Sequence, residues 1–161
     1  MMSILELATY WGCKDKLTIG VQTNELVRTY KSPMPLDKTI FNIKVIKSNG
    51  LKSCAGKAYF KHPKLGMHIR LHPALWDNED ELISQRLETF FHEIAHLVAY
   101  LTKHDMGHGI HWSYCLMHFG FEPLRCYNGA VFNFRGYKRR DQIRGEEATL
   151  AILDDIGGFE V

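Results

Sequence analysis

Residues 90–112 read FFHEIAHLVAYLTKHDMGHGIHW and hold His92, His96, His104, His108 and His111, five of the chain's nine histidines. Residues four apart share one face of a helix, so His92 and His96 project side by side over a single turn. Two imidazoles at that spacing can hold one zinc ion at about 2.0–2.1 Å from each nitrogen. Glu93 is rotated by roughly 100° from His92 by the 3.6-residue period, so it can stand beside the ion without ligating it. A base must stand there to take a proton from water that zinc has made acidic. H-E-x-x-H on a helix has this logic in zinc metallopeptidases. Two histidines and a glutamate among apolar residues are costly unless paired or metal-bound, which weighs against chance.

A catalytic zinc takes three protein ligands and keeps one position open. The extended pattern H-E-x-x-H-x-x-G-x-x-H fails, because Ala99 and Thr102 stand where Gly and His are required. A downstream carboxylate could serve, and Glu122, Glu146 and Glu147 are candidates. Among the histidines, His108 lies between Gly107 and Gly109, which would let the backbone turn sharply toward an ion. His104 closely follows the helix end and could cap its carbonyls. His111 opens the next helix and could stand behind a ligand.

These residues need elements to position them. Ser3 to Trp11 reads as a short helix stopped by Gly12, and Asn24 to Lys31 as a second, capped by Thr23. In TIFNIKVIKSNG, Phe41, Ile43 and Val45 alternate with polar residues, a strand signal ending at Asn49-Gly50. AGKAYFKHPKLG gives a second strand and a turn. MHIRLHP gives a third, with Met67, Ile69 and Leu71 on one face and His68, Arg70 and His72 on the other, where the two histidines should be solvated. A long helix follows, with Asn78 and Glu81 at capping-box spacing. Its apolar residues, from Leu82 to Leu101, cover much of the circumference, so it should be central. A shorter helix should run from about His111 to Gly120. CYNGAVFNF suggests a hairpin turning on Asn128-Gly129, and Asp141 to Ile156 a final helix ending at Gly157-Gly158.

A chain of 161 residues can bury a core without disulfides. Hydrophobic residues make up 45% and charged residues 24%, a globular composition. No apolar run approaches the ~20 residues of a membrane span, and the N-terminus lacks the parts of a secretory signal. Cys13, Cys54, Cys115 and Cys126 form no C-x-x-C pair and fit a reducing cytosol, where they act as small hydrophobes. A net charge of +2 does not announce a nucleic-acid partner, so any such contact must come from local clustering. FRGYKRRDQIR is one cluster: Arg135, Lys138, Arg139 and Arg140 beside Phe134 and Tyr137 could track phosphates and stack bases.

The segment HEIAHLVAYLTKHDMGHGIHWSYCLMHFG resembles the SprT-like metallopeptidase family, that of the Spartan protease acting on proteins crosslinked to DNA. The likeness rests on His92-Glu93-x-x-His96, then Gly107-His108-Gly109, Trp112 and Met117, and covers about Leu36 to Gly120. It implies His92, His96 and His108 as ligands of one zinc ion and Glu93 as general base. Trp112 and Met117 would pack beneath the site. Many bacterial relatives carry a C-terminal Cys-rich zinc ribbon, whereas this sequence has only Cys126 in that region, so the likeness supports protease chemistry better than DNA repair.

The expected fold is a single α+β domain of zincin type over residues 1–161. A small sheet of about three strands would pack on the H-E-x-x-H helix. In such folds a sheet edge beside that helix binds substrate as an extra strand, and GMHIRLH is the candidate edge. Tyr59, Tyr114 and Tyr127 are candidate donors to the carbonyl oxygen in the transition state. The expected activity is zinc-dependent cleavage of protein or peptide, with DNA as a possible partner and no membrane. The rivals are a zinc-stapled binding module without catalysis and an unrelated small-amide hydrolase.

Overall fold

The computed structural model describes residues 1–48, 51, 54–77, 82–124, 132–133 and 138–139. The chain is α+β, with a small mixed four-stranded sheet and several helices. β1 (Met2–Ser3) leads into α1 (Ile4–Tyr10), whose start is a capping box: Ser3 Oγ accepts from Glu6 N–H and Glu6 Oε1 accepts from Ser3 N–H. Ile4, Leu7 and Ala8 bury one face, and Gly12 at φ 73° reverses the chain, as its sequence suggests.

Three of the next elements depart from expectation. α2 (Lys14–Gln22) is a helix that the sequence reading leaves blank. Its Gly20 is there for packing, since a Cβ would run into the Phe119 ring. α3 (Glu25–Arg28) is capped by Asn24, not Thr23: Asn24 Oδ1 accepts from Leu26 and Val27 N–H. Thr23 closes α2, its hydroxyl donating to the Ile19 carbonyl. α4 (Leu36–Phe41) occupies the first part of the expected strand, because Leu36, Ile40 and Phe41 also satisfy a helical face. Only Lys44–Lys47, β2, is extended.

β3 (Gly56–His62) and β4 (Gly66–Leu71) form an antiparallel hairpin, and β2 runs parallel to β4. The order is β1-β2-β4-β3. The candidate edge GMHIRLH is therefore an interior strand. Among the described residues, the edge on that side of the sheet is β3. Val45, Ala58, Ile69 and Leu71 line the inner face of the sheet and are buried in the core. After β4, α5 (Pro73–Asp77) opens with a proline at its first position.

α6 (Ile83–Lys103) is the central helix, buried from Phe90 through Ala99. The expected caps at Asn78 and Glu81 lie outside the described residues. Two contacts fix α6 against β3: a Cβ at Gly56 would lie 3.0 Å from Thr89 Cγ2, and Phe60 stacks on Tyr100 at 4.4 Å. β3 thus runs alongside α6 in the same direction, passing the turn that carries Glu93. α7 (Ile110–His118) packs Trp112, Cys115, Leu116 and, just beyond it, Phe119 inward, and Gly120 at φ 93° ends it. Met117 falls off that stripe and is 60% exposed, so it does not pack beneath the site. Cys13, Cys54 and Cys115 are buried. β5 (Phe132–Asn133) pairs antiparallel with β6 (Lys138–Arg139). The Asn128-Gly129 turn and the helix expected over 141–156 lie outside the described residues. Among those described, no helix is long and apolar enough to cross a membrane.

Candidate metal centre

His92 and His96 sit one turn apart on α6, and His108 reaches them from the loop between α6 and α7. Their Nε2 atoms form a nearly equilateral triangle: 3.3 Å between His92 and His96, 3.2 Å between His96 and His108, and 3.2 Å between His108 and His92. Two nitrogens on a tetrahedral zinc at about 2.0–2.1 Å stand roughly 3.3 Å apart, so the triangle has the size of a zinc face. Burial pushes His92 down to about 3, with His108 adding to the shift, and drives His96 well below its ordinary value. The rings are thereby held neutral, the form that ligates metal.

Glu93 is 1% exposed, and neither of its carboxylate oxygens has a hydrogen-bond partner among the described residues. Burial lifts it to about 8, while Lys57 pulls the other way. Its Oε1 lies 3.9 Å from His92 Nε2. A buried carboxyl group left unpaired beside three converging imidazoles suits a cation and its bound water better than it suits the apolar core. The residues present therefore fit a metal ion such as zinc.

Trp112 supports all three histidines. Its Nε1–H donates to the His92 carbonyl at 3.3 Å, and its ring lies 4.9, 5.5 and 4.5 Å from those of His92, His96 and His108. The loop depends on a residue that sequence reasoning missed, Asp105. Its Oδ1 accepts from Gly107 N–H at 3.2 Å, and its Oδ2 meets His111 Nδ1 at 3.2 Å. A Cβ on Gly109 would lie 2.9 Å from Oδ2. A side chain at Gly109 would therefore have to displace the Asp105 carboxylate. Gly107 has open space around it and no positive φ, so the argument from a sharp turn at both glycines does not hold. An acid between the helix end and G-H-G was the available signal for Asp105.

The other candidates disperse. His104 ends α6 in the left-handed region at φ 53°, exposed, its N–H bonded to the Tyr100 carbonyl. His111 stands beside the loop, not in the triangle. Glu122 is exposed; Glu146 and Glu147 lie outside the described residues. The Tyr114 hydroxyl accepts from Glu25 N–H at 3.2 Å and so secures α3. Tyr59 stacks on His68, on the sheet face away from α6. Tyr127, Arg135 and Arg140 lie outside the described residues, and Lys138 and Arg139 are described only as the backbone of β6. His68 and His72 are not solvated: they are 1% and 2% exposed, because their ring nitrogens find partners within the fold.

The fold and the centre together define an α+β protein built round three histidines placed to hold a metal ion. The chain belongs to the SprT-like family, which it matches over residues 23–123, more than half of its 161 residues. No curated protein and no solved structure matches it. The family match begins before Leu36, where the sequence resemblance starts. It takes in buried Asn24, whose Nδ2 donates to Cys115 Sγ at 3.5 Å and ties α3 to α7.

Proposed function

We propose that the protein is a zinc-dependent endopeptidase with a zincin-like arrangement of sheet edge and metal helix. The observation that carries this is the Nε2 triangle with the unpartnered Glu93 carboxyl beside it. His92, His96 and His108 would hold the ion. When bound, zinc supplies Lewis acidity toward a peptide carbonyl and toward water. Glu93 takes a proton on its carboxylate and hands it to the departing amine, within reach directly or through one water. Trp112 keeps the three rings in place, and α6 excludes bulk water around Glu93.

Substrate lies along β3, not β4. His72 N–H donates to the Ala55 carbonyl, so residues 55, 57 and 59 bond toward β4 by alternation. Gly56 and Ala58 then turn their N–H and C=O groups to the free edge, where an extended chain can pair without any demand on its sequence.

The test is Glu93→Gln in zinc-loaded protein. Zinc content should match wild type while cleavage of an unfolded reporter protein falls by about three orders of magnitude or more, because base and metal act as one unit. Equal cleavage by wild type and variant would end this reading. Full zinc occupancy with no cleavage by either would favour a binding module.

A further inference from the structure

We infer that the outward face of β3 selects substrates carrying an acidic side chain, through Lys57 with Arg70 behind it; this rests on the peptidase reading above. On the sheet face away from α6, Tyr59 is paired with His68 and stacks on it at 4.6 Å with only 3° between the rings. Arg70 Cζ lies 4.5 Å and Lys57 Nζ 5.3 Å from the centroid of the same Tyr59 ring. Arg70 Nε donates to His68 Nε2 at 3.1 Å, and His68 Nδ1 bonds to the Gly66 carbonyl at 2.9 Å. The guanidinium is therefore held in place from two sides, by the ring it covers and by a buried histidine.

Two cations are thus gathered on one ring; among the described residues neither forms an ion pair with a carboxylate, although Lys57 also acts through space on buried Glu93. Like charges held together repel each other and gain from an incoming anion. The position of Lys57 decides which anion. It is on the free-edge strand, directly beside Ala58, whose backbone faces the substrate. In an antiparallel pair, a substrate residue bonded to Ala58 places its neighbours opposite Lys57 and Tyr59. Those are non-hydrogen-bonded positions, where facing side chains come closest and opposite charges stabilise the pair. The matching occupant is an extended polypeptide with Asp or Glu at the position facing Lys57. The register irregularity between Tyr59 and His62 ends regular pairing just beyond, which confines the preference to this stretch.

The experiment digests a mixture of random-sequence peptides with zinc-loaded wild type and Lys57→Glu, mapping cut sites by mass spectrometry. In parallel, zinc-loaded Glu93→Gln, with and without Lys57→Glu, is titrated with labelled neutral, glutamate-bearing and lysine-bearing peptides by anisotropy. The expected result is Asp and Glu enriched about threefold at one fixed distance from the cut. In Lys57→Glu the preference should reverse toward Lys and Arg, and the same ratios should appear in binding. Comparing ratios within one protein cancels any change in overall rate. Cleavage with no acidic preference, or with one that survives Lys57→Glu, overturns the inference and leaves the peptidase intact. Charge-dependent binding that follows Lys57, without cleavage, supports the docking face and sinks the peptidase. Neither cleavage nor binding overturns both. A labelled oligonucleotide that binds wild type and is lost with Lys57→Glu, while the peptides are indifferent, would reassign the face to phosphate.

Discussion

The protein gathers two sets of histidines, one on each side of its sheet. On the inner side, His92, His96 and His108 aim three Nε2 atoms at one point. On the outer side, His68 spends both ring nitrogens within the protein, on the Gly66 carbonyl and on Arg70. His72, at the end of the same strand, accepts from Ala74 N–H and so begins α5. His92 and His96 are buried as His68 and His72 are, and His108 is half-buried, so burial alone does not separate the two sets. The difference lies in what the nitrogens meet: protein donors and acceptors in one case, each other in the other.

Removing one histidine from each set should break this comparison most sharply. His108→Ala leaves two of the three histidines and should lose most of the zinc on dialysis. His68→Ala should keep full zinc while losing roughly 1–3 kcal/mol of stability, because the Gly66 carbonyl and Arg70 Nε lose their partner. Metal analysis after dialysis and urea unfolding read the two effects separately. Zinc lost from His68→Ala and kept in His108→Ala would invert the assignment.

A smaller effect sharpens the role of Glu93. Its folded value of about 8 lies above the ordinary 4.5. Its contribution to the stability of metal-free protein is therefore full below pH 4.5 and is lost as pH climbs through 8. Metal-free Glu93→Gln should escape that loss and be more stable than metal-free wild type at pH 7, by on the order of 3 kcal/mol. The gap should close toward pH 4.5, and also on adding zinc, whose charge compensates the carboxylate. Melting temperatures across pH, with and without zinc, decide it; a gap that does not change with pH would mean Glu93 is not the strained group.

The smallest effect concerns the loop. Asp105→Ala should weaken zinc binding by about ten- to a hundredfold, the usual consequence of losing a group that orients ligands. Gly109→Ala should act in the same direction by crowding Asp105. Competition with a chelating dye measures both, and wild-type affinity in Asp105→Ala would leave the loop held by Trp112 alone.

Legibility followed the range over which each residue acts. His92, Glu93 and His96 were readable because helical period alone puts them together. His108 needed the family likeness to stand out from His104 and His111. Asp105 was not readable, because it acts across space on His111 and Gly109. The place of β4 was also hidden: its alternation shows two faces, but nothing in GMHIRLH states that β2 will pair on its far side. Lys14–Gln22 carries Gly20 and Thr18, which weaken the helical signal, while the reason for Gly20 is a phenylalanine about a hundred residues on. Thr23 and Asn24 are both good caps, and only the packing of Asn24 against Cys115 decides between them.

The spacing of the three ligands has a consequence for how the chain closes on itself. His92 and His96 are four residues apart, and His96 and His108 twelve. The entropy of bringing chain ends together grows only with the logarithm of the intervening length, but it is smallest for segments as short as these. The sheet is assembled over longer spans, since β1 finds β2 some forty residues on and β4 must take its place beside β2. The metal centre is thus a nearly local construction, as is the β3–β4 hairpin beside it, while seating that hairpin in the sheet depends on β2 and β1 from earlier in the chain.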